Sequence, residues 1–204
     1  MEDFNLMAEG YDTDVRLRRA KIIADKIKSY VADGQNKNAL EYGCGTGLVG
    51  LLLKDVFKQL LLIDSSSEMI KQVKLKMDKQ GNPNIEACCC DLMVGVPKMP
   101  NIDYIFSSLV MHHIMDTREF LYRLHSLLNS EGRLLIVDID KEDGGFHAKY
   151  PDFAGHNGYE HSHLIELASD IGFRKATIET FYHDIKMFNG KENPYSLFIF
   201  EAVK

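Results

Sequence analysis

Three glycines alternate in Leu40-Glu41-Tyr42-Gly43-Cys44-Gly45-Thr46-Gly47, between a short apolar run and the apolar stretch Leu48-Val49-Gly50-Leu51-Leu52-Leu53. Glycine lacks Cβ, so such a turn takes positive φ and lets a ligand lie against bare backbone, beside the N–H groups that open a helix. That is nucleotide-binding chemistry. Asp64, 21 residues past Gly43, adds a carboxylate that can accept from two neighbouring ribose hydroxyls. Asp91 ends a further apolar run, and His112 and His113 follow another. Histidine titrates near neutrality, so either is a candidate general base where a nucleophile must lose a proton.

Two residues separate the nucleotides. A dinucleotide fingerprint needs G-x-G-x-x-G, or a terminal alanine, for the turn to accept a pyrophosphate, but that position is Leu48. The pattern is instead acid-x-G-x-G-x-G, with Glu41 at the strand end. A carboxylate there repels pyrophosphate and attracts an ammonium, so the preferred ligand carries a cationic amino-acid tail, as S-adenosylmethionine does.

The elements that must position these residues are legible in order. Leu17, Ala20, Ala24, Ile27 and Val31 recur at helical steps, with Arg18, Arg19, Lys21, Asp25 and Lys28 between them, an amphipathic helix. Ahead of it, residues 8–12 are placed to fold over something bound. Ala39 to Tyr42 is the first strand; it delivers the glycine turn, and a helix is expected to follow. Gln59 to Ile63 is a continuous apolar run that suits a parallel strand covered on both faces. The capping-box spacing at Ser65 to Glu68 then opens a helix ending at Gly81-Asn82-Pro83. Ile85 to Cys90 is the third strand. After loop residues including Gly95, Pro97 and Pro100, Tyr104 to Phe106 is the fourth, running into Ser107 to His113. Asp116 and Glu119 cap a helix through Leu128, and Leu134 to Ile139 is the fifth strand.

Strand and helix thus alternate five times, the pattern of a doubly wound parallel sheet. Asp140 to Gly158 is long for an internal loop and is a candidate lid. Glu160 to Ile171 is helical, and Ala176 to Phe181 and Tyr195 to Val203 read as antiparallel neighbours. Open parallel sheets bind ligands beyond the carboxyl ends of their strands, where the glycine turn, Asp64, Asp91 and the 107–113 loop all fall.

Composition bounds the rest. A chain of 204 residues suits one domain, with 1–32 as an N-terminal flap and helix. Net charge −6 gives no electrostatic footprint for nucleic acid, and the basic cluster Arg16, Arg18, Arg19, Lys21 reads as a solvated helix face. No apolar run approaches the roughly 18 residues of a membrane span, and the start shows no signal-peptide pattern. Together with Cys44 in the turn and Cys88, Cys89 and Cys90 consecutive, which suggest no disulfide framework, this leads us to expect a cytoplasmic protein with no membrane and no obligate nucleic-acid partner.

These motifs, in this order over nearly the whole chain, resemble class I, Rossmann-like S-adenosylmethionine-dependent methyltransferases. The resemblance implies a single α/β domain with a seven-stranded, mostly parallel sheet of order 3-2-1-4-5-7-6, strand 7 antiparallel. It also implies that Glu41, Gly43, Cys44 and Gly45 hold the methionine end, Asp64 binds the ribose, and Ser65 and Met69 lie beside the adenosine. Asp91 with Leu92 would read the adenine amino group. Ser107 would line the methionine side through its backbone, Leu109 and His112 would face the reactive centre, and Tyr11 would belong to a flap over the cofactor. The product is S-adenosylhomocysteine.

The acceptor is not named by the sequence. Ser107-Ser108-Leu109-Val110 departs from the Asn-Pro-Pro-Tyr of adenine and glutamine methyltransferases, and there is no Pro-Cys pair as in cytosine-5 enzymes. With no obvious appended recognition domain, a small-molecule acceptor is favoured. Two other classes fit less well: a non-catalytic binder of the cofactor or its product, and an NAD-linked oxidoreductase. His147, Asp152, His156, His161 and His163 crowd one region, but their spacings match no ligand motif, so no metal is expected there.

Overall fold

The computed structural model describes residues 4–81, 83–95, 99 and 101–204; Asn82, Pro97 and Pro100, read above as loop residues, lie outside these. The strands expected around 39–42, 59–63, 104–106 and 134–139 are β1 (Asn38–Tyr42), β2 (Gln59–Asp64), β4 (Ile102–Ser108) and β5 (Leu128–Ile139). With β3 (Ile85–Cys89), β6 (Lys175–Phe188) and β7 (Lys191–Val203) they form one sheet ordered β3-β2-β1-β4-β5-β7-β6. β1 to β5 pair in parallel, while β7 is antiparallel to β5 and β6. This is the expected order.

Alternate residues of each strand feed two cores. Ala39, Leu60, Leu62 and Phe106 pack with Ile23, Ala24 and Ile27 of α2 (Asp14–Ser29) and Ile70 and Val73 of α3 (Ser67–Gln80). Leu40, Leu61, Ile105 and Ile136 pack with Phe120, Leu121 and Leu124 of α4 (Thr117–Leu127) and Leu164 and Ala168 of α5 (His161–Ile171). The period of two in the strands therefore splits the apolar residues between opposite helical layers. Asp116 caps α4 where the sequence indicated, accepting from the Glu119 N–H, whereas α3 is capped one residue later than the Ser65 to Glu68 spacing suggested, Ser66 accepting from the Met69 N–H.

Three expectations need correction. The segment after the glycine turn is a short 3-10 turn, Gly50–Leu53, instead of an α-helix. A regular helix would give the Gly50 N–H to the Thr46 carbonyl, but Glu41 takes that N–H and the Lys76 ammonium takes the carbonyl. β5 begins at Leu128, where the sequence read the end of a helix. The terminal strands are also longer than their apolar runs. They meet in a tight hairpin at Asn189 (φ 49°) and Gly190 (φ 74°), the left-handed pair that matches strand twist. Charged residues such as Asp184, Lys186 and Glu192 broke the apolar pattern there. They are tolerated because that half of the hairpin runs beyond the central strands.

A short helix α1 (Phe4–Met7) leads to Tyr11 and Asp12 and lies against α3. Asp12 accepts from the Thr46 hydroxyl at 2.5 Å and pairs with Lys76 at 2.6 Å, which pins the N-terminal segment to the glycine turn. Among the described residues, no helix is long and apolar enough to cross a membrane. Leu124 is fully buried between α4 and the sheet. Leu124→Ala is expected to destabilise the fold by about 2–5 kcal/mol, read as a lower urea midpoint with unchanged slope.

Candidate functional site

The glycine turn is built on backbone that side chains resist. Gly43, Gly45 and Gly47 have φ of 69°, 53° and 80°, and a Cβ on Gly43 would lie 2.4 Å from a Val110 methyl. Asp64 fastens the turn to the end of β2, one oxygen accepting from the Gly45 N–H and the other from the Ser66 N–H, both at 2.8 Å. Burial raises its pKa, those two bonds oppose the rise, and each oxygen keeps a second lone pair for a hydroxyl.

Glu41 lies beneath the turn, 1% exposed. Burial pushes its carboxyl well above the usual range, opposed by the Gly50 N–H, and its Oε2 is buried with no hydrogen-bond partner among the described residues. A buried carboxylate oxygen without a donor is costly, and an arriving ammonium would relieve it. Gly50 makes the space: a Cβ there would lie 2.2 Å from Glu41 Oε2 and 2.4 Å from a Leu62 methyl. The sequence reading passed over Gly50, because nothing local shows which side chain presses on it.

A cleft of ≈ 560 Å³ runs across the carboxyl edge of the sheet. Asp64, Ser65, Met69 and Asp91 line one part, Gly43, Gly45 and Leu109 the turn, and His113 and Phe153 the far part, with Tyr11 and Phe4 of the N-terminal segment also in its walls. Glu41, Cys44 and Thr46 line a smaller adjoining recess. Two residues named from the resemblance are placed differently. Ser107 is buried in the sheet, donating to the Tyr42 carbonyl, and the cleft wall there is Ser108 and Leu109. Leu92 packs into the core, with its carbonyl accepting from Arg123. Leu109 holds φ of 57°, and its N–H donates to the Val137 carbonyl at 2.8 Å. That left-handed residue turns the chain from β4 into the 3-10 turn Met111–His113.

Beside the cleft, a second cavity of ≈ 400 Å³ is lined by His112, His113, His147 and Phe146 together with Arg16, Arg19, Lys149 and Lys186. His112 is buried, its Nδ1 2.6 Å from Asp138 Oδ1. Asp138, at the end of β5, also accepts from the backbone N–H groups of His112 and Ile139. A carboxylate oxygen can only accept, so His112 Nδ1 is the donor in that contact, and in the neutral imidazole Nε2 is then the acceptor. His147 arrives on the 140–158 loop. Glu142 accepts from the N–H groups of Gly144 and Phe146, and Gly144 has φ of 95°, which turns the chain so that the His147 ring stacks on Phe153 at 3.6 Å. Burial lowers the pKa of His113 to about 4 and of His147 to about 3, and the charge of Lys186 adds to both shifts.

The five-residue set weighed from the sequence does not assemble. His156 bonds to the carbonyls of Ile114 and Met115, His161 pairs with Asp140, and His163 is exposed. Among the described residues of that set, His147 alone brings its ring against those of His112 and His113. Its partners lie 34 and 35 residues away, so no local spacing could have joined them.

This sheet order with a turn of alternating glycines, an acid before it and an acid ending the next strand defines a Rossmann-like nucleotide-binding fold of the methyltransferase type. A family model described as a methyltransferase domain matches residues 15–178. The chain belongs to the class I, S-adenosylmethionine-dependent methyltransferases. It is 29% identical over 153 residues to an uncharacterized methyltransferase of Schizosaccharomyces pombe, covering 68% of this chain and 54% of that protein. It is 26% identical over 125 residues to human N-terminal Xaa-Pro-Lys N-methyltransferase 1, covering 58% of this chain and 56% of that one. The chain thus spans about half the length of these two relatives. Among solved structures, Haemonchus contortus phosphoethanolamine N-methyltransferase 2 with S-adenosyl-L-methionine superimposes with a TM-score of 0.75 at 17% identity, over 100% of this chain and 60% of that one.

The partnerless Glu41 oxygen and the bare glycine turn fit a cofactor with an ammonium tail. Gly50→Ala is expected to displace the Glu41 carboxylate and weaken S-adenosylhomocysteine binding by tenfold or more in calorimetry. Gly10→Ala, at a glycine with open space around it, should leave binding unchanged.

Proposed function

We propose that the protein transfers the methyl group of S-adenosylmethionine to a small acceptor bound in the cavity beside His112, His113 and His147. Glu41, Gly43, Cys44 and Gly45 hold the methionine end, Asp64 the ribose, Ser65 and Met69 the adenosine, and Asp91 the adenine. Tyr11 closes over them. The observation that carries the reading is the Asp138–His112 pair, which holds an imidazole lone pair at the wall of a cavity adjoining the cofactor cleft. The acceptor's X–H proton passes to His112 Nε2. The lone pair of X bonds to the methyl carbon while the S–CH3 bond breaks, leaving its electron pair on sulfur as S-adenosylhomocysteine. The sulfonium is already activated, so the protein's work is alignment and exclusion of water.

Among the described residues, the walls of this cavity carry Arg16, Arg19, Lys149 and Lys186 and no carboxylate side chain, in a chain of net charge −6. That favours an acceptor bearing phosphate or carboxylate, in keeping with the phosphoethanolamine enzyme among the structural neighbours. The relative that methylates protein N-termini supports a second reading, but a peptide amino terminus followed by lysine is cationic and would be repelled here. Four unpaired cysteines suit a cytoplasmic setting.

Radiolabelled methyl transfer to phosphoethanolamine against ethanolamine, and to other phosphorylated and free amines and alcohols in pairs, tests the reading. Transfer only to the anionic member supports it, and saturating cofactor binding with no transfer to any acceptor would favour a sensor. On the active acceptor, His112→Gln is expected to lower kcat by about 10²–10⁴-fold, with S-adenosylhomocysteine affinity unchanged.

Glu41 generates a further prediction. Its carboxyl is raised well above its ordinary pKa when no cation is near, and the arriving ammonium favours the charged form. Cofactor binding therefore releases a proton wherever free Glu41 is protonated, and affinity rises with pH up to that pKa. Calorimetry in buffers of different ionisation enthalpy should show this release, and Glu41→Gln should abolish it along with most of the affinity.

A further inference from the structure

We propose that His112, His113 and His147 bind a divalent cation of the zinc type, with three protein ligands and a fourth position open to the acceptor cavity. One ring nitrogen from each histidine lies within 4.8 Å of the others. Tetrahedral zinc at about 2.0–2.1 Å from each nitrogen places three imidazole ring centres roughly 5 Å apart. Here the separations are 4.2 Å for His112 and His113, 5.0 Å for His112 and His147, and 5.8 Å for His113 and His147. They bracket the required value.

The surroundings are those of a ligand set. Asp138 accepts from His112 Nδ1, the carboxylate–histidine relation that orients a metal-bound imidazole and raises its basicity. His147 is clamped on Phe153, and its Nδ1 is buried with no hydrogen-bond partner among the described residues, a donor atom that the protein leaves unused. Ligation needs neutral imidazoles. The Lys186 ammonium over the Phe146 ring also opposes a cation. Asp138 and an anionic fourth ligand offset that opposition. Three imidazoles with no carboxylate or thiolate select zinc, cobalt, nickel, copper or iron over magnesium and calcium, which require oxygen ligands.

This inference rests on the reading that the cavity holds the acceptor, and it changes how the proton leaves. The acceptor heteroatom takes the open position, and the ion lowers the pKa of X–H so that the proton goes to solvent. The resulting anion forms the bond to the methyl carbon as the sulfur keeps the S–C pair. In the loaded protein His112 is a ligand and no longer receives the proton.

Untagged full-length protein, stripped with chelator and dialysed against zinc or cobalt(II), provides the test through metal analysis and the visible absorption of tetrahedral cobalt. Expected is one ion per chain, no retention of magnesium, at least 100-fold weaker binding in His147→Phe, and 10–100-fold weaker binding in Asp138→Asn. His163→Gln, on the exposed face of α5, should bind as the parent does. His147→Phe keeps a ring to stack on Phe153, and retained S-adenosylhomocysteine binding shows that it is folded. No stoichiometric ion, or equal binding by His147→Phe, overturns the site. If the metal-free protein transfers methyl groups at full rate, the metal inference fails and the His112 base stands. If the trio binds metal but no acceptor is methylated, the site stands and the acceptor reading fails.

Discussion

A carboxylate buried without a full set of donors organises the centre of this molecule. Glu41 sits near the carboxyl end of β1, under the glycine turn. It captures the Gly50 N–H, so the segment after the turn cannot coil as a regular helix. Gly50 must then be bare, since any Cβ would strike the carboxylate. The Thr46 carbonyl, freed from its helical partner, becomes the anchor for Lys76, which in turn holds Asp12 and the N-terminal segment. The Glu41 carboxylate thereby links the strand, the turn, the third helix and the flap, and its partnerless oxygen is the atom an ammonium group would complete.

The parts of the structure visible in the sequence are those written in local patterns. β1, β2, β4 and β5 are nearly continuous apolar runs, α2 to α5 carry period and caps, and the strand order followed from the motifs they share with a known family. The glycine turn and Asp64 were legible because fixed spacing on a strand–turn unit fixes their position in space. What was missed depends on contacts between distant segments. The helix after Gly47 fails because of Glu41 and Lys76, neither of which a propensity argument consults. The terminal hairpin outruns its apolar residues because pairing and the Asn189-Gly190 turn extend it. Ser107 looks identical to Ser108 in sequence, and only the register of β4 decides which of them faces the cleft.

The histidines show the same division. His112 and His113 were recognisable as chemically able residues on a loop after a strand, but their partner His147 is brought in by a loop with no period of its own. Glu142 and Gly144 shape that turn through two carboxylate-to-backbone bonds, a device that reads in sequence as an unremarkable acidic, glycine-rich stretch. The His156 N–H, bonded at 2.7 Å to the His112 carbonyl, then ties the far end of the loop back to the β4 turn. A Cβ on Gly155 would lie 2.3 Å from that same carbonyl, so the return path is as tightly fitted as the outward one.

The N-terminal segment belongs to two compartments at once. Tyr11 and Phe4 line both the cofactor cleft and the cavity beside the histidines, and Phe4 meets His113 edge-on at 5.3 Å, while Ser66 donates to Asn5 at the cofactor end. A nucleoside entering or leaving by way of this segment unseats a wall of the neighbouring chamber as it goes. Any displacement of Phe4 or Tyr11 therefore reshapes both chambers together.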